Sequence, residues 1–68
     1  TTREKLMTYL LSEAKRKKTN EFEIPYNRQE LADYLGVDRS AMSAEISRMR
    51  EEGILESEKN RFRLPGQL

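Results

Sequence analysis

At 68 residues, 35% of them hydrophobic and 37% charged, the chain has material for one domain with a small core and too little for a deep ligand cavity. It contains no cysteine and no histidine, which excludes a disulfide framework, a thiolate nucleophile, a Cys/His zinc site and a histidine general base, and with them most enzymes. The net charge of +1 is unevenly spread: residues 1–20 carry six Lys/Arg against two acids, residues 21–38 one against five, and residues 39–68 six against five, a distribution that permits a basic face aimed at phosphates beside acidic ones.

Thr1-Thr2-Arg3-Glu4 has the form of a capping box, in which a hydroxyl takes a first-turn N–H and the Glu three residues on reaches back. Leu6, Met7, Leu10, Leu11 and Ala14 follow at helical spacing, and Lys15 to Lys18 place cations at the partly negative end, so a helix is predicted over about 2–18. Phe22-Glu23-Ile24 alternates ahead of Pro25, which suits a short edge strand. Asn27-Arg28-Gln29-Glu30 is a second capping box, and Leu31, Ala32 and Leu35 share one face of a two-turn helix that Gly36 stops.

Asp38 is a good N-cap for a third helix, in which Met42, Ile46 and Met49 repeat at i, i+4 and i+7 as far as Gly53. Ile54 to Ser57 and Arg61 to Leu64 then flank Glu58-Lys59-Asn60 as a hairpin with a polar tip, and Pro65-Gly66 ends regular structure. Only the hairpin can pair with the strand at Phe22. The expected architecture is a single, mainly α domain over residues 1–68 with a small antiparallel sheet: a winged helix-turn-helix of three helices and a β-hairpin wing. The longest apolar run, Tyr9-Leu10-Leu11, is far below the ~18 residues of a membrane span, and no leader pattern opens the chain, so a cytoplasmic protein without a membrane partner is expected.

The stretch from Arg28 to Glu52 carries the functional reading. A two-turn helix and a longer one are joined by little more than Gly36-Val37, with Ala32 small enough for close approach, Gly36 free to take a positive φ and Val37 plugging the angle. On the longer helix Met42, Ile46 and Met49 face the core. Arg39, Ser43, Ser47 and Arg50 lie opposite, beside Ser40 and Ala44, a face slim enough for the ~12 Å major groove of duplex DNA. Arg39, Ser40, Ser43, Ala44 and Ser47 are the expected base readers, with Arg39 bidentate to guanine. Lys59, Asn60, Arg61 and Arg63 on the hairpin, and Asn27, Arg28 and Gln29 at the start of the two-turn helix, are expected at phosphates.

Ile24 to Val37, Asp38 to Met49 and Glu52-Gly53-Ile54-Leu55 together resemble the Crp/Fnr superfamily of bacterial regulators, named for the cyclic-AMP receptor protein and the fumarate and nitrate reduction regulator. The resemblance implies a C-terminal DNA-binding module of a longer regulator, normally preceded by a sensing β-roll and a dimerisation helix. It implies a homodimer on inverted-repeat promoter sites, with RNA polymerase as a further partner of the full-length protein. By position Arg39 matches the family's early recognition-helix Arg and Ser43 its small central residue. Ser40 departs from a common Glu, Ala44 from a common second Arg, and Asp38 from a commoner Ser or Thr, so a different operator is implied. The fragment alone is expected to be largely monomeric.

Plainer roles are expected elsewhere. Met42 and Met49 read as core fillers, Tyr9, Tyr26 and Tyr34 as half-buried packing, and Lys15 to Lys18 as a solvated helix end. Glu45 is expected to pair with Arg48 or Arg28. No cofactor or metal is expected. A protein-interaction module, the rival from another class, calls for an apolar patch on the outward face of the third helix, and a nuclease for clustered carboxylates that the sequence lacks.

Overall fold

The computed structural model describes residues 1–66. Its elements run α1 (Thr2–Lys17), β1 (Glu21–Glu23), α2 (Arg28–Leu35), α3 (Arg39–Glu51), β2 (Glu56–Glu58) and β3 (Arg61–Arg63). These three helices and the antiparallel three-stranded sheet, in the order β1-β3-β2, form a winged helix-turn-helix.

Each helix starts where side chains satisfy its first free N–H groups. The Thr1 hydroxyl accepts from the Glu4 N–H at 3.1 Å, the Asn27 amide oxygen from the Glu30 N–H at 2.8 Å, and the Asp38 carboxylate from the Ala41 N–H at 2.9 Å. Glu4 and Glu30 reach back to the cap N–H groups, completing both capping boxes.

The helix ends are built alike. After α2, Gly36 N–H donates to Asp33 C=O and Val37 N–H to Ala32 C=O, with Gly36 at φ 71°. After α3, Gly53 N–H donates to Arg50 C=O and Ile54 N–H to Met49 C=O. After α1 the same pair of bonds forms around Lys18, at φ 57°. A left-handed residue lets the chain fold back over its own last turn and pair the orphan carbonyls.

That closure of α3 explains a shift in the wing. Gly53, Ile54 and Leu55 are drawn into capping the helix, so β2 begins at Glu56 rather than at Ile54, and the loop is Lys59-Asn60, between the paired Glu58 and Arg61. The first strand is also displaced by one residue, to Glu21–Glu23, because Phe22 pairs opposite Phe62 and carries Glu21 into register with Arg63. Ile24 still donates to Asn60 C=O at 2.9 Å beyond the strand's end.

The core draws on every helix and on β1 and β3: Leu6, Leu10 and Ala14 from α1, Leu31 and Ala32 from α2, Met42, Ile46 and Met49 from α3, and Phe22, Ile24, Leu55, Phe62 and Leu64 from the sheet and its flanks. Leu11, expected on the apolar stripe of α1, is instead exposed, and Glu13 is buried. The buried stripe runs through positions 6, 10, 13 and 14; Leu11, five residues after Leu6, has turned off it. Glu13 tolerates burial because Arg16 donates to its carboxylate at 2.8 Å and Lys17 lies 3.8 Å away.

Candidate nucleic-acid interface

Gly36, Val37 and Asp38 separate α2 from α3. Ala32 is fully buried where the two helices meet, and Val37 packs partly buried against the core. With Met42, Ile46 and Met49 committed inward, the rest of α3 is turned out: Arg39, Ser40, Ala44, Ser47 and Arg50 are exposed and Ser43 is half-buried. The fold therefore brings all five expected base readers onto the outer surface of one helix. Arg50, noted on that flank from the sequence but not counted among the readers, extends the same surface.

Electrostatics on α3 divide by face. Glu45, on the side toward α1, accepts from Arg48 at 2.9 Å and from Arg3 at 3.1 Å, which together hold its carboxyl below the ordinary range. Its partner from outside the helix is thus Arg3 and not Arg28. Arg3 also donates two bonds to Glu52, at 3.0 and 3.2 Å. Among the described residues no carboxylate comes within ion-pair distance of Arg39 or Arg50. The outward arginines keep their donors while those behind the helix spend theirs.

The wing stands beside α3 across an open cleft of about 530 Å³, lined by Ser47, Arg50 and Glu51 on one side and Leu55, Glu56 and Ser57 on the other. At its tip Lys59 is exposed. Arg61 faces carboxylates of β1, Glu21 at 3.2 Å and Glu23 at 3.6 Å, and Arg63 pairs with Glu56 at 3.0 Å. The Asn60 amide donates to Ile24 C=O at 2.9 Å, a bond that ties the loop to the end of β1. At the start of α2, Asn27 and Gln29 are exposed, whereas Arg28 is half-buried beneath the wing, its guanidinium 4.9 Å from the centroid of Phe62 and donating to Ser57 at 3.2 Å. Most residues grouped from the sequence with the phosphate contacts thus have bonds inside the fold: Asn27 with Glu30, Arg28 with Ser57, Gln29 with Asp33, Asn60 with Ile24, Arg61 with Glu21 and Arg63 with Glu56.

A profile of the Crp-like helix-turn-helix domain matches residues 4–65, nearly the whole chain. This chain belongs to the Crp-like helix-turn-helix family. Membership makes it a DNA-binding domain of transcription regulation. Comparisons with curated proteins and with solved structures found no match.

Away from the α3 face, the Crp-like domain departs from expectation at its tyrosines. Tyr9 and Tyr26 are half-buried, but Tyr34 is 60% exposed; its ring stacks on Tyr26 at 5.1 Å and meets the edge of Tyr9 at 5.5 Å. The large exposed hydrophobics among the described residues are Leu11, Tyr34 and Ile54, none of them on α3. Neither is there, among those residues, a group of three or more acids placed to hold a metal ion, or a helix long and apolar enough to cross a membrane.

Proposed function

We propose that this Crp-like domain reads duplex DNA by seating α3 in the major groove, with Arg39 bidentate to a guanine, Ser40, Ser43 and Ser47 as short polar contacts, and Ala44 against a thymine methyl. Lys59 and Arg61 on the wing, with Asn27 and Gln29 at the start of α2, contact phosphates and set the register. The domain binds without catalysis and serves a regulator that pairs two copies on an inverted repeat, where linking two half-site contacts raises affinity through effective concentration. RNA polymerase is the further partner of that full-length regulator.

The observation that carries this reading is the division of α3: every large apolar side chain is buried, and the outward face holds serines, alanines, Arg39 and Arg50, which have no ion pair among the described residues, with Glu51 at its far end. Such a face matches the depth and polarity of the groove, and it offers no apolar patch for a protein partner.

Fluorescence anisotropy with a duplex selected from a random pool, and with its scrambled counterpart, tests the proposal. Arg39→Ala is expected to lose about 1–3 kcal/mol on the selected duplex and little on the scrambled one. Lys59→Ala is expected to weaken both alike and to lower the salt slope by about one. Equal losses on the two duplexes for Arg39→Ala would remove it from the readers.

A further inference from the structure

Arg28 opens α2, yet its guanidinium lies under the wing. One face stacks on the fully buried Phe62 of β3, Nη2 donates to the Ser57 hydroxyl of β2, and Nη1 is buried without a hydrogen-bond partner. No carboxylate among the described residues pairs with it. Burial, and secondarily the neighbouring charge of Arg50, push its pKa down. A half-buried cation with an unspent N–H is costly to hold, and stacking on Phe62 plus one bond to Ser57 offset the cost in part.

Position in the sheet shows what the contact does. β3 is anchored on both sides, by β1 and by β2, whereas β2 is the outer strand and pairs with β3 alone. Among the described residues the one side-chain hydrogen bond from the helices to β2 is the bond from Arg28 to Ser57. Lys59 follows β2 directly, and the opposite wall of the adjoining cleft is α3, through Ser47 and Arg50.

We infer that Arg28 is a positioning residue: its inward guanidinium latches the wing to the front of α2, so that Lys59 and the outward face of α3 meet one duplex together. The inference rests on the DNA-binding mode proposed above and assigns Arg28 an action through the wing in place of its own phosphate contact. Lysine cannot substitute, because an ammonium has neither the flat face that stacks on Phe62 nor the fork that reaches Ser57 while stacked.

Hydrogen exchange and duplex titrations of the intact domain and of Arg28→Lys, Arg28→Met and Ser57→Ala test it. In the free protein both Arg28 variants are expected to speed exchange of the β2 and β3 amides about tenfold while the α1 core amides keep their rate, and Ser57→Ala to do so more weakly. Arg28→Lys is expected to bind duplex as poorly as Arg28→Met, and Lys59→Ala to add little further loss in the Arg28→Met background. A direct phosphate contact predicts the reverse: Arg28→Lys near the unaltered affinity, additive losses with Lys59→Ala, and wing exchange unchanged. Equal acceleration of wing and α1 amides would also overturn the latch, reducing Arg28 to general stability. Should the unaltered domain bind no duplex, the groove reading falls, and the exchange rates still decide the latch, since Ser57→Ala disturbs it while keeping the Arg28 side chain in place.

Discussion

Arg3 and Glu45, 42 residues apart, meet through a 3.1 Å hydrogen bond that staples the first turn of α1 to the middle of α3. Arg48 grips the same carboxylate from within α3, and Arg3 also takes Glu52 near the helix end. α3 is thereby held to α1 by charges on one side, while among the described residues Arg39 and Arg50 have no ion pair.

This network makes a prediction about acid. Arg48 and then Arg3 hold the Glu45 carboxyl below its ordinary pKa, so its contribution to stability is present above the usual carboxylate range and is lost as pH falls through the lowered folded value. Thermal midpoints measured from neutral pH down through about pH 3 should fall more steeply for the unaltered domain than for Glu45→Gln. Parallel curves would show that the pair contributes nothing to folding.

At the alkaline end Tyr9 is the reporter. Burial first, and Glu13 second, push its phenol up to about 12 from the ordinary 10. The folded state keeps the proton longer than the unfolded chain, so the stabilisation is complete below pH 10 and drains away as pH rises toward 12. Ultraviolet titration should show a late-titrating tyrosine that vanishes in Tyr9→Phe, and that variant should lose less stability over the same interval. A Tyr9 phenol that titrates near its ordinary value of 10 would contradict the assignment.

Gly36 holds φ 71°, and a Cβ built there meets no heavy atom within 4 Å, so the case for glycine rests on backbone conformation alone. Gly36→Ala is expected to cost about 1 kcal/mol, a fall of roughly 4–8 °C in the melting midpoint of a domain this small. An unchanged midpoint would mean that the turn relaxes to another conformation.

Lys59 shows the opposite balance, a non-glycine residue at φ 55° in the wing loop. Lys59→Gly relieves that strain, so the melting midpoint should hold or rise, by up to ~1 kcal/mol in stability, while duplex affinity falls for every sequence tested. A loss of stability together with affinity would make Lys59 a structural residue and not a phosphate contact.

Much of this architecture was legible before any coordinates because its signals are local. The capping boxes at Thr1 and Asn27, the cap at Asp38, Gly36 in the turn and the 42, 46, 49 spacing each depend on residues within a turn or two of one another, and all were found as read. Strand limits were less legible. β2 yields Ile54 and Leu55 to the closure of α3, and β1 takes its register from Phe62, far away in the chain.

Helical periodicity alone turns Met42, Ile46 and Met49 inward and Ser40, Ala44 and Ser47 outward, whereas Arg39, seven residues before Ile46 and in its register, is seen to be exposed only in the structure. The partners of the charged residues around α3 did not follow, since pairing joins residues with no fixed separation. Only the tertiary structure placed Arg3 against Glu45, buried Glu13 while exposing Leu11, closed Asn60 onto Ile24, and folded Arg28 under the wing. Periodicity says which way a side chain leaves its own backbone; what it meets there depends on how the elements pack, and a long flexible guanidinium can turn back to the ring or carboxylate that packing brings near.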